Sequence, residues 1–425
     1  MLHAFHIANK RPYPQARSPP MLPSSPPDLP TAAYIHIPFC RRRCFYCDFP
    51  ISVVGDRSRG ETPAINHYIE VLCQEIQLAP VPPQPLATVF FGGGTPSLLD
   101  AAQIGHILQT VQDHLGIAAS AEISLEVDPG TFTLAQMSGY RDRGVNRLSL
   151  GVQAFQPELL SQMGRTHTVA EIHAAVEMIR QAGLTNFGLD LISGLPGQTL
   201  EQWETSLQCA IDLQPTHVST YDLVLEPGTV FGKRYSPGHT PLPEDEISAQ
   251  MYELATERLR SAGYEHYEIS NYAQPGYQCR HNRIYWQNRP YYGFGMGATS
   301  YVNHQRVSRP RTRREYYQWV DALAAAEGQM VEPPVTPLDE WLETLMMGLR
   351  LAEGVSLEAL AAKFGEQKVS QLLKALAGCL DNARAGQQGW VGLNPSTQHL
   401  YLTDPEGFLF CNQVLLKIWQ AFEAE

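Results

Sequence analysis

A chain of 425 residues, 44% hydrophobic and 17% charged, has the make-up of a soluble globular protein with room for a broad core and an appended domain. Its 31 basic against 43 acidic residues give a net charge of −12, the wrong sign for a protein whose main task is to grip phosphate backbones, so nucleic acid is not an expected partner. No run approaches the roughly 18 apolar residues that span a bilayer, so any membrane contact is expected to be peripheral.

Residues 1–31 form a proline-rich tail, with eight prolines between Arg11 and Pro30, and are expected to be disordered. No apolar core follows Met1 as in a secretory signal, which points to a cytoplasmic protein. A transit peptide is the competing reading of a tail with no acid before Asp28, although the prolines fit it poorly; Met21 is a competing start.

From Ala32 to Ala262 short apolar runs alternate with amphipathic ones. Strands are predicted at Ala33–Phe39, Ala87–Gly92, Glu122–Val127, Arg147–Val152, Asn186–Leu191 and His217–Leu223. Helices are predicted at Ile65–Leu78, Leu98–Leu115, Leu134–Arg143, Val169–Ala182, Leu200–Leu213 and Asp245–Ala262, with Gly116, Gly144 and Gly183 closing three of them. Six βα units with strongly apolar strands indicate an α/β fold with a parallel sheet, a partial (β/α)6 barrel whose strand-to-helix loops share one rim. Residues 263–315 are rich in aromatics and glycine without a helical period. Residues 316–425 read as a mainly helical domain (Glu340–Leu349, Leu357–Phe364, Val369–Leu380, Asn412–Phe422) with a hairpin at Trp390–Leu402, a pattern that could pass for a winged helix.

Five of the eight cysteines are scattered and read as buried or bystander thiols; the other three lie in one loop after the first strand. The stretch Tyr34–Phe49 reads YIHIPFCRRRCFYCDF and sets Cys40, Cys44 and Cys47 in the spacing Cys-x3-Cys-x2-Cys. Three thiolates can hold three irons of a cubane [4Fe–4S] cluster and leave the fourth open to a chelating ligand. Structural zinc would want a fourth ligand in a second knuckle, and a redox pair at Cys44 and Cys47 leaves Cys40 unexplained.

This spacing is the signature of the radical S-adenosylmethionine (SAM) superfamily. From Ala33 to the last helix the chain resembles its coproporphyrinogen III oxidase-like branch, and within it the HemW-type heme chaperones rather than the HemN-type dehydrogenases. The resemblance implies that Cys40, Cys44 and Cys47 carry the cluster, that SAM binds its open iron, and that one electron can cleave the sulfonium to a 5′-deoxyadenosyl radical. It further implies that Tyr34 and Tyr46 line the SAM pocket, that Gly93 receives the methionine end of SAM, and that Glu126 binds the same molecule. Gly94, Thr95, Gln153, Arg165 and Asp190 would form a second SAM site. Read as residues alone, the FGGGTPS run at Phe91–Ser97 could be only a tight loop, and Glu126 or Asp190 could merely cap a turn.

Two features favour the chaperone branch. The dehydrogenase has a further cysteine two residues after the triad, where this chain has Phe49. His281–Trp286 reads HNRIYW and matches the HNxxYW heme motif, which makes His281 the expected axial ligand of heme. Without that match, a loop histidine beside ordinary core aromatics is the simpler reading, and Cys279 is a conceivable thiolate ligand. The implied partners are heme, heme-accepting proteins such as membrane respiratory components, an electron donor for the cluster, and a second copy of the chain in a homodimer.

Overall fold

The computed structural model describes residues 30–55, 63–329, 335–380 and 389–422. The tail expected to be disordered lies, up to residue 29, outside the described residues.

Six parallel strands follow one another across the sheet in chain order: β1 (Ala32–Ile37), β2 (Leu86–Gly93), β3 (Ile117–Val127), β4 (Arg147–Gln153), β5 (Phe187–Ser193) and β6 (His217–Asp222). The helices α1 (Pro63–Leu78), α2 (Ala101–His114), α3 (Leu134–Asp142), α4 (Val169–Gln181), α5 (Leu200–Asp212) and α6 (Asp245–Ser261) alternate with them. The result is the partial (β/α)6 barrel that the alternating runs imply. Four helices start on a reciprocal cap: Asp100 with Gln103, Thr133 with Gln136, Thr168 with Glu171 and Thr199 with Gln202. Each such cap contributes about 1 kcal/mol and fixes where the loop above the barrel ends.

The segment 263–315 is more regular than its sequence indicates. It adds β7 (Glu265–Glu268) and β8 (Asn271–Ala273), then α7 (Arg280–Trp286) and β9 (Tyr292–Phe294). Strand β8 pairs antiparallel with β6, while β9 pairs parallel with β1 at the other edge, giving the order β9-β1-β2-β3-β4-β5-β6-β8-β7. One segment therefore occupies both open edges, and α7 passes between them. Strands of three or four residues are too short for a period of two to register.

Helix α8 (Arg313–Ala325), expected among the C-terminal helices, packs on α1 and adds Tyr316 and Val320 to the barrel core. Glu75 of α1 explains this. Buried, it accepts hydrogen bonds from Arg309 Nε (2.8 Å), Gly295 N (2.8 Å) and Tyr316 Oη (2.6 Å), tying three segments together. A second core, with Trp341, Leu372 and Phe422, lies among α9 (Pro337–Gly348), α10 (Leu357–Phe364), α11 (Glu366–Ala375) and α12 (Cys411–Phe422). A small antiparallel sheet of Val355–Ser356, His399–Leu402 and Val391–Asn394 completes a winged-helix-like unit. Among the described residues no helix is long and apolar enough to cross a membrane.

Candidate active site

The three cysteines sit at the C-terminal rim of the barrel, in the loop that follows β1. The loop folds back on itself through Ser52 N to Pro38 O (2.6 Å) and Val54 N to Cys40 O (2.9 Å). Arg43 Nη1 donates to the carbonyls of Cys47 and Phe49 (both 3.2 Å), and Arg311 pairs with Asp48. Much of the Arg41–Arg43 run therefore orders the loop: Arg41 also donates to Gly130 O (3.1 Å).

All three thiols are free and half-buried. Burial pushes Cys40 up to about 12 and Cys47 up to about 11, so both hold their protons at neutral pH until a metal supplies compensating charge. Among the described residues no three His, Cys, Asp or Glu side chains converge as they would on one ion. A cubane takes each sulfur on a separate iron, so three free sulfurs on one ordered loop fit a cluster better than a lone zinc.

The Gly-rich end of β2 underlies this loop. Gly94 N donates to Ile37 O (2.8 Å) and Thr95 N to Phe39 O (2.7 Å), which carries the β1–β2 pairing up to Cys40. The glycines leave room for protein atoms. A Cβ on Gly93 (φ +114°) would meet the His36 ring at 2.4 Å, and one on Gly94 would lie 2.6 Å from Phe39 O and 3.0 Å from Cys40 Sγ. His36 was not singled out from sequence. Its ring bonds Tyr34 Oη (3.0 Å) and Pro50 O (2.9 Å), and burial lowers it to about 4, so it is neutral.

Below the loop, Glu126 Oε2 accepts from Gly93 N (2.9 Å), and burial with the nearby Asp190 raises its carboxyl to about 8. Asp190 is also raised by burial and accepts from Ser149 Oγ at 2.8 and 3.0 Å. Two half-buried carboxyls this close together favour a cationic guest, such as an ammonium or sulfonium. Tyr34 stacks on Phe90 at 6.2 Å in the same space.

A second group gathers around Asp128, which the sequence reading passed over. Asp128 pairs with Arg165 and accepts from Thr95 Oγ1 (3.1 Å); Arg165 also donates to Gly151 O (2.8 Å). Thr95 Oγ1 is 3.7 Å from Cys40 Sγ, and Arg165 Nη1 is 3.7 Å from Cys44 Sγ. Tyr46 lies beside Cys44 and Arg165, its phenol kept protonated by burial. Gln153 ends β4 with φ +69°, its amide next to Gly151. A signal for Asp128 was available: in SLEVDP it stands two residues after Glu126, the spacing of one strand face.

His281 is not at this rim. It lies buried on α7, with Nδ1 bonded to Thr88 Oγ1 (2.8 Å) and Nε2 to Tyr285 Oη (2.9 Å), its ring stacked on Phe90 at 5.2 Å. Thr88 and Gly92 are four residues apart on β2, about 13 Å by strand rise, so His281 sits toward the opposite end of the barrel. Burial lowers its pKa to about 3. The expectation of a ligand open to iron thus meets a histidine with both nitrogens engaged inside the core. Cys279, at the start of α7, faces Glu122 (3.6 Å) and is pushed up to about 12, mainly by burial. Beyond the barrel, Trp286 packs with Met347 and Leu351, and Arg283 pairs with Glu353, so α7 joins the two cores.

The radical SAM superfamily model matches residues 34–210, and the HemN C-terminal domain model matches residues 335–410. The chain is similar to a Synechocystis sp. protein named Heme chaperone HemW, 48% identical over 405 residues that cover 93% of this chain and 98% of the relative. Similar relatives of the same name occur in Escherichia coli (40% identical, covering 67% of this chain and 72% of the relative) and Bacillus subtilis (35%, covering 79% and 87%). In fold it matches the structure titled "Coproporphyrinogen III oxidase (HemN) from Escherichia coli is a Radical SAM enzyme", with a TM-score of 0.74 and 24% identity over 92% of this chain and 90% of that one. With its cysteine loop on the rim of a partial barrel and a near-complete match to the Synechocystis relative, the chain belongs to the radical SAM superfamily and, within it, to the HemW family.

Proposed function

We propose that this protein is a heme chaperone: it captures heme and passes it to heme-requiring proteins, with a [4Fe–4S] cluster on Cys40, Cys44 and Cys47 and SAM bound beside it. The observation that carries the reading is the 48% identity to a relative named as a heme chaperone across 98% of that relative's length.

When bound, the cluster supplies a single low-potential electron and an iron corner open to an amine and a carboxylate. The chain's own residues do the holding. Glu126, protonated at neutral pH as placed, releases its proton when an ammonium or sulfonium arrives and then pairs with it. Tyr34 and Gly93 stand next to it, and Tyr46 lines the loop side. Gly94, Thr95, Gln153, Arg165 and Asp190 are the residues offered for a second SAM. Working partners on this reading are an electron donor, heme acceptors that include membrane respiratory components, and a second copy of the chain. The location on this reading is the cytoplasm, and any contact with the membrane is peripheral.

His281 is proposed as the axial ligand, which requires it to give up Thr88 and Tyr285. Soret titration of the full chain tests this. One heme per chain is expected, with His281→Ala weakening binding at least tenfold. Thr88→Val, which removes a competitor for Nδ1, should leave affinity unchanged or improve it. Unaltered heme affinity in His281→Ala moves the ligand elsewhere, and equal losses in both variants reduce His281 to a packing role.

A further inference from the structure

Asp128 is an unassigned carboxylate placed between two groups that each face a cysteine sulfur. Thr95 Oγ1 stands 3.1 Å from Asp128 Oδ2 and 3.7 Å from Cys40 Sγ. A hydroxyl carries one proton and can serve only one of these acceptors. The shorter contact, to a carboxylate, takes it. Arg165 is shared rather than diverted: Nη2 pairs with Asp128 Oδ1 while Nη1 donates to Cys44 Sγ (3.7 Å), so the carboxylate balances the guanidinium charge without removing its hydrogen bond to the sulfur. The carboxylate is held in place. Asp128 N donates to Ser97 Oγ (3.2 Å), and Ser97 is hydrogen-bonded to Thr131 Oγ1 (2.6 Å). On the opposite side a Cβ at Gly151 would come within 2.7 Å of Asp128 Oδ1, so β4 leaves that space to the carboxylate. His167, 3.5 Å from Arg165, is lowered to about 4 by burial and adds no charge at neutral pH.

We propose that Asp128 is a positioning residue that keeps the cluster strongly reducing, by drawing the Thr95 proton away from the sulfur of Cys40 and by balancing the Arg165 charge beside the sulfur of Cys44. The inference rests on the cluster reading above. Hydrogen bonds and positive charge at cluster sulfurs stabilise the reduced, more negative state and raise its potential. Asp128 withholds the Thr95 hydrogen bond from Cys40 and offsets the Arg165 charge at Cys44. It touches neither sulfur; it acts through Thr95 and Arg165.

EPR-monitored redox titration of the anaerobically reconstituted full chain, with iron counted in each sample, tests this. Asp128→Asn is expected to raise the ratio of reduced to oxidised cluster at least tenfold at a fixed poise, about 59 mV for one electron. Thr95→Val alone should leave the potential unchanged, because the hydroxyl proton is already committed to Asp128. In the Asp128→Asn background the same change should take back part of the rise, because the freed hydroxyl then faces Cys40. A potential unchanged or lowered by Asp128→Asn overturns the proposal, as does a tenfold fall in that ratio on Thr95→Val in the otherwise native chain. The second result decides the matter even where Asp128→Asn does not hold its iron. A native chain that takes up no cluster is a different failure, that of the cluster reading itself.

Discussion

Cys44→Ala, reconstituted without oxygen, is expected to lose the cluster: far fewer than the about four irons per chain of a cubane, and no EPR signal on reduction. Three cysteines are the minimum for a cubane with one open corner. The two sulfurs left, Cys40 and Cys47, are both pushed well up by burial and do not shed their protons for a weak ligand set. The fold should survive the change. The loop backbone is anchored by Phe45 N to Met163 O (2.9 Å) and Phe231 N to Phe45 O (2.9 Å), neither of which involves a thiol. Circular dichroism and urea unfolding of the metal-free chains should therefore coincide for native and mutant protein. Retention of a full complement of iron in Cys44→Ala would remove the cluster from this loop.

The largest loss of stability is expected at Glu75. It is about 1% exposed and pairs with the equally buried Arg309, while Gly295 and Tyr316 also donate to it. Removing one partner of such a pair strands the other charge in the core, at a cost of about 3–5 kcal/mol. Glu75→Ala should lower the urea midpoint accordingly and loosen α8 and the loop after β9 together, since both hang on this carboxylate. A loss under about 1 kcal/mol would mean that Arg309 finds water instead.

The repeating βα pattern was legible because most strands of the barrel carry near-continuous apolar runs and most helices are amphipathic over at least two turns; β6, with His217, Ser219, Thr220 and Asp222, and α3, with only Met137 and Tyr140 buried, are the weaker cases. The predicted helix at Leu357–Phe364 agrees with α10 at both ends, and the barrel strands start and stop close to expectation, apart from β3, which begins five residues early. The C-terminal hairpin expected at Trp390–Leu402 is present as Val391–Asn394 against His399–Leu402. Strands β7, β8 and β9 were not legible, because three or four residues carry no period and their pairing with distant edges is a tertiary fact. The cysteine triad was readable from spacing alone. His36 and Asp128 were not, although each left a trace: a lone polar residue in the apolar run YIHIP, and an acid two places after Glu126. The HNRIYW segment illustrates the opposite limit. Its residues point to heme by resemblance, yet only the packing reveals that Thr88 and Tyr285 compete for His281.

A single assay bears most directly on whether this chain carries heme or makes its precursor. The reconstituted protein is incubated anaerobically with coproporphyrinogen III, SAM and a reductant, and the tetrapyrroles are separated by chromatography. No decarboxylated product above the protein-free control is predicted; protoporphyrinogen formed over many turnovers would contradict the chaperone reading and establish an oxygen-independent coproporphyrinogen III dehydrogenase.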